Sequence, residues 1–184
     1  MKKCLLNTLI LFTAYLMFLS QITLADNPYI CKSQYALCTT AKCSPIPGQT
    51  GLSLCFCKTE TGYSAGEKPC QDVKTTPEGY KEVRSRYYPI GSYVSCSNAR
   101  PWANCLDSPC IIDPNDPSKA VCTCSIVKNQ GPYVIVTDTC NKSGCETGLT
   151  SSATVKSNDE LDTYIRSSEY AKDLPAPQKK LCGE

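Results

Sequence analysis

The chain has 184 residues, 19 basic against 17 acidic side chains, 15 cysteines and no histidine. Near-balanced charge lacks the electrostatic footprint of a nucleic-acid binder. The absence of histidine excludes Ser-His-Asp and Cys-His nucleophile designs and histidine-built catalytic metal sites.

The first segment reads as an export signal. Lys2 and Lys3 precede an apolar stretch from Leu5 to Leu19, and Thr23-Leu24-Ala25 places small residues at the −3 and −1 positions of a cleavage site. An uncleaved membrane anchor is the rival reading. The apolar run is short for a span of ~20 residues, and Asn7, Thr8, Thr13 and Gln21 dilute it. Cys4 precedes the apolar region, so it is not a lipoprotein cysteine. Cleavage after Ala25 is therefore expected, giving a secreted or periplasmic protein that is not held in a membrane. It removes Lys2, Lys3 and Cys4, and leaves 17 basic residues, 17 acidic residues and an even 14 cysteines. An even set in an oxidising compartment predicts disulfides. The set comprises Cys31, Cys38, Cys43, Cys55, Cys57, Cys70, Cys96, Cys105, Cys110, Cys122, Cys124, Cys140, Cys145 and Cys182. Zinc or Cu(I) could also use such sulfurs, but thiolates exported to an oxidising space become disulfides first. No metal or other cofactor is expected.

Residues 26–70 form a first cysteine-rich repeat and residues 93–145 a second. The series Cys38, Cys43, Cys55, Cys57 recurs as Cys105, Cys110, Cys122, Cys124 at a constant offset of 67. Trp102-Ala103 repeats Tyr35-Ala36, and Pro114 repeats Pro47. Leu54-Cys55-Phe56-Cys57 and Val121-Cys122-Thr123-Cys124 read as short strands. On a strand, residues i and i+2 share a face, so each C-x-C presents two sulfurs to one side, and each sulfur needs a distant partner. The eleven-residue loops between Cys43 and Cys55 and between Cys110 and Cys122 carry Pro, Gly, Asn, Asp and Ser, the residues of turns. Six cysteines allow 15 pairings. The parallel order of the two sets favours Cys31–Cys70 and Cys96–Cys140 as outer staples. Asp107, Asp113 and Asp116 align with Thr40, Ile46 and Gln49, so they are not shared by the two repeats. Asp113-Pro114-Asn115-Asp116 lacks the glycine of a calcium loop and reads as a turn.

Between the repeats, residues 71–92 are expected to be a linker, with Thr76-Pro77-Glu78-Gly79 as a turn and a strand over Val83 to Tyr88. Residues 146–184 form a tail. Ser157-Asn158-Asp159-Glu160 fits a capping box, and Leu161, Tyr164, Ile165 and Ser168 follow at helical spacing, with Pro175 and Pro177 ending the helix. Cys145 and Cys182, left over from the two sets of six, are expected to clip this tail. Asn141-Lys142-Ser143 is one glycosylation acceptor.

The predicted fold class is small, disulfide-rich and mostly β or irregular: two tandem six-cysteine modules plus a short C-terminal helix. The predicted function is a binding or structural role, with a protein or carbohydrate ligand and no nucleic acid. With no catalytic motif in the chain, no enzyme is expected. The alternative is a small secreted enzyme, or a protease inhibitor acting through a disulfide-braced loop such as Ser44 to Thr50. Arg84, Arg86, Tyr87, Tyr88, Tyr93, Arg100 and Trp102 concentrate the residue types enriched at binding hot spots and form the predicted contact surface.

Overall fold

The computed structural model describes residues 28–87, 92–97, 99–137, 140–169 and 180–181. The proposed signal segment, Tyr88, Pro175, Pro177 and Cys182 lie outside them. The described chain is small and mostly strand. In order it runs β1 (Tyr29–Pro45), β2 (Leu52–Gly66), β3 (Lys74–Thr75), β4 (Lys81–Arg86), β5 (Ser92–Cys96), β6 (Trp102–Asn104), β7 (Pro109–Ile112), β8 (Lys119–Val127) and β9 (Tyr133–Val136). A single helical turn, α1 (Ser143–Glu146), then precedes β10 (Leu149–Thr154), α2 (Val155–Ser167) and β11 (Lys180–Leu181).

The central four strands lie in the order β1-β2-β8-β7. The alternation of each C-x-C strand sorts its two faces. On β2, Ser53, Cys55 and Cys57 are buried while Leu54, Phe56 and Lys58 are exposed; on β8, Ala120, Cys122 and Cys124 are buried. The inward faces meet a core of cysteine and alanine with few large side chains, Val83 and Ile112 among them. Disulfides fill that core. Cys38–Cys57 and Cys43–Cys55 recur as Cys105–Cys124 and Cys110–Cys122, each pair with the same separation as its counterpart, 19 and 12 residues.

The strand registers repeat with the sulfurs. Tyr35↔Glu60, Leu37↔Lys58, Cys43↔Cys55 and Pro45↔Ser53 reappear, 67 residues on, as Trp102↔Val127, Asn104↔Ser125, Cys110↔Cys122 and Ile112↔Ala120. Both copies interrupt the pairing ladder at the same place with a left-handed residue, Thr40 (φ 57°) and Asp107 (φ 55°). Both turns close alike: Ile46 N–H donates to Leu52 O as Asp113 N–H donates to Lys119 O. The Asp carboxylates of the second turn are backbone acceptors, Asp113 Oδ1 from Asn115 N at 2.8 Å and Asp116 Oδ1 from Ser118 N at 3.2 Å. The ladder between β2 and β8 is symmetric about Cys55↔Cys122, with Ser53↔Cys124 on one side and Cys57↔Ala120 on the other. A local two-fold axis therefore passes between the two C-x-C strands.

The halves also exchange strands. β4, from the stretch expected to be a linker, pairs in parallel with β1 (Ala36↔Ser85) and antiparallel with β7 of the other half (Val83↔Cys110). β10 repeats this: it pairs in parallel with β6 (Ala103↔Ser151) and antiparallel with β1 (Cys43↔Leu149). The hydrogen-bonded sheet is thus continuous across both cysteine sets.

One of the two expected outer staples, and the expected tail clip, differ from the structure. Cys31 does pair with Cys70, but Cys96 pairs with Cys145 and not with Cys140. The reason lies in α1, which turns Cys145 inward against Val94, Cys96, Trp102 and Ile135. Cys140 sits outside that cluster, exposed and with a left-handed backbone (φ 55°); it too is disulfide-bonded. Cys145 is therefore not the cysteine that clips the tail through Cys182. The helix start also differs. Thr154, one turn before Ser157, is the cap of α2 and accepts from Ser157 N at 3.0 Å. The predicted apolar stripe does face inward, with Ile165 3% exposed and packed with Leu161 against Ala65, Ile30 and Tyr63. The helix thus covers residues of the first half as well as β9 and β10.

Candidate functional site

The seven residues expected to form one contact surface are not exposed together. Trp102 is 4% exposed and stacks on Tyr133, with ring centroids 6.2 Å apart and planes at 22°. It stands where Tyr35, equally buried, stands in the first half. Both rings are wedges beside a disulfide-bonded core, so Trp102 is a packing residue. Trp102→Ala is expected to cost about 3–5 kcal/mol of stability through the cavity it leaves. Chemical denaturation followed by tyrosine fluorescence measures this, and a loss below ~1 kcal/mol contradicts the packing role.

Arg86, also predicted as surface, is 3% exposed. Its Nη1 donates to Asp107 Oδ1 at 2.6 Å and to Lys68 O at 2.8 Å, and its Nη2 donates to Tyr29 O at 2.7 Å. Asp107 Oδ2 in turn accepts from the backbone N–H of Glu67 (2.6 Å) and Lys68 (3.0 Å). A buried charge pair is tolerated only where its remaining donors and lone pairs are satisfied, and this network satisfies most of them. Gly66 is required there, because a Cβ at that position would run into the Arg86 guanidinium and the Asp107 carboxylate. Arg84 is half-buried and donates to Asp107 O at 3.0 Å. Of the six that lie among the described residues, only Arg100 is exposed, and Tyr87 and Tyr93 are half-buried. Burial pushes the Tyr87 phenol well above its ordinary value, with the charges of Glu67 and Asp107 adding to the shift. Its hydroxyl donates to Ser152 O at 3.0 Å.

Sulfur chemistry is also decided by geometry. The sulfurs of Cys38, Cys110 and Cys122 lie within 4.8 Å of one another, as do those of Cys43, Cys55 and Cys105. Each cluster mixes the two halves across the local two-fold. Every one of these sulfurs is in a disulfide, so none is a thiolate ready to ligate a metal or attack a substrate.

Two features of the described residues have the form of contact sites. The first is the outer face of the central sheet. Phe56 is 59% exposed and Leu54 37%. In register across the strands, Phe56 stands beside Val121, and Val121 beside Ile111. The row ends in Lys42 at one side and Glu82 at the other. Sequence reasoning could have found this face. Once Cys55 and Cys57 are placed inward, Leu54 and Phe56 must point outward.

The second is a cleft of about 50 Å³ between α2 and the sheet, lined by Thr39, Thr40, Tyr87, Ser151, Leu161 and Ile165 among others. The hydroxyl oxygens of Thr39 and Ser151 are buried and have no hydrogen-bond partner among the described residues. No sequence signal marks this cleft, because its walls come from segments more than a hundred residues apart.

No protein-family model, curated protein or solved structure matches the chain. The class is therefore defined by the molecule itself: a small, mostly β protein cross-linked by at least six disulfides. Such a density of disulfides belongs to an oxidising, extracellular type of environment. Among the described residues, no helix is long and apolar enough to cross a membrane.

Proposed function

We propose that this is an exported, disulfide-stabilised tandem-repeat protein whose role is to bind another protein through the outer face of its central sheet. Cleavage of the signal after Ala25 releases it to the periplasm or the exterior. The observation that carries the reading is the exposure of Phe56, the only phenylalanine outside the signal segment, in a cross-strand row with Val121 and Ile111 and beside Leu54 on its own strand. An exposed aromatic anchor inside a contiguous apolar patch is the composition of a binding surface. The disulfides beneath it hold that patch rigid, which lowers the entropy lost on binding. Lys42 and Glu82 at the ends of the row supply a polar rim that orients the partner. Catalysis is not part of this reading.

The test is capture of partners from extracellular or envelope extracts by the purified protein and by Phe56→Ser/Leu54→Ser. These side chains are exposed, so unfolding free energy should change by about 0.5 kcal/mol or less. Partners retained by the parent protein should be lost from the variant. An identical set captured by both proteins shows that the sheet face is not the contact surface.

A further inference from the structure

The two halves of the molecule treat one pair of equivalent positions differently. Arg86 on β4 lies opposite Leu37 of the parallel strand β1, and Ser152 on β10 lies opposite Asn104 of β6, the residue 67 positions after Leu37. Asp107 and Thr40 are also 67 residues apart and share the left-handed backbone, φ 55° and 57°. The local two-fold thus maps the Arg86–Asp107 pair onto Ser152 and Thr40. In the first location a guanidinium fills the space and meets its counter-charge at 2.6 Å. In the second, two small hydroxyl residues stand in place of arginine and aspartate, and the cleft under α2 lies against both of them.

We propose that this cleft is a binding site for a small uncharged molecule with an apolar body and one hydrogen-bonding group. The apolar part of its walls comes from Val134, Val136, Ala153, Leu161 and Ile165. Of its polar groups, the hydroxyls of Thr39 and Ser151, the latter residue 1% exposed, have no partner among the described residues. Leaving a buried hydroxyl unpaired is costly, so a ligand that pairs with it gains specificity along with contact area. The only charged residue on the lining is Asp162, and its carboxylate is held by Arg166 at 2.9 Å. A charged ligand would lose its hydration without meeting a counter-ion. This site shares no residue with the sheet face around Phe56, so either can fail without the other.

The experiment is an NMR titration of the full exported protein with three probes of one shape: isobutanol, isobutylammonium and isobutyrate. The expected result is saturable shifts at Thr40, Ser151, Val134 and Ile165 with isobutanol alone, half-saturating at roughly 10 mM for a ligand of so few atoms. Thr40→Asp/Ser152→Arg copies the filled counterpart into the cleft and should abolish the isobutanol shifts. Ser151→Ala keeps the cavity and should weaken isobutanol about 3-fold to 10-fold; it decides the matter if the double variant does not fold. The proposal is overturned if isobutanol produces no saturable shift at these residues, if the charged probes bind as well as isobutanol, or if Ser151→Ala binds isobutanol unchanged.

Discussion

Arg86→Ala is expected to lower the unfolding free energy by about 3–5 kcal/mol, because it leaves the Asp107 carboxylate buried without its counter-charge. That is a large share of the ~5–15 kcal/mol that holds a typical domain. The loss should be wider than one contact. The guanidinium also ties down Tyr29 O and Lys68 O, next to the Cys31–Cys70 disulfide. Asp107→Ala should cost a similar amount by orphaning the arginine. Arg86→Lys should recover only part, since a single ammonium cannot span acceptors now served by both Nη1 and Nη2. Replacing both partners together, as Arg86→Met/Asp107→Leu, should cost much less than either single alanine substitution. Denaturant unfolding of the oxidised proteins, followed by Trp102 fluorescence, gives all four values. Additive losses in the double variant would show that the two side chains act independently and that the pair is not a unit.

Loss of the Cys96–Cys145 bond is the second large effect. Its partners are 49 residues apart in sequence, so Cys96→Ala/Cys145→Ala should cost about 2–5 kcal/mol, mainly by releasing the unfolded chain. The same variant tests the connectivity. If Cys96 pairs with Cys145, removing both leaves no free thiol. If Cys96 paired with Cys140, the variant would strand Cys140 and the former partner of Cys145, and thiol titration would find two. The hydrophobic cluster around the bond, with Val94, Trp102, Tyr133 and Ile135, should loosen with it. Hydrogen exchange on β5 and β9 should therefore quicken more than exchange on β2 and β8, which keep their own four staples.

The repeat, the inward aim of each C-x-C pair, the turn character of the two eleven-residue loops and the apolar stripe of the C-terminal helix are all local properties. They rest on residue spacing and on the two-residue period of a strand, which is why the amino-acid sequence by itself determined them. Four disulfide pairings obey the same 67-residue offset as the cysteines, so the sequence constrained their parallelism though not their partners. Other outcomes depended on long-range packing. Cys145 displaced Cys140 as the partner of Cys96 because one helical turn points it into an apolar cluster. Trp102 and Arg86 carry the chemistry of contact residues, yet one fills the place of Tyr35 and the other finds Asp107 across the local two-fold. The strand expected over Val83 to Tyr88 formed as β4, but its place between β1 and β7 follows from packing, since Val83 joins the core opposite Cys110. Only the tertiary structure decided these points. Burial of a charge or a ring depends on which partner the other half of the chain brings to it, and neither spacing nor composition records that partner.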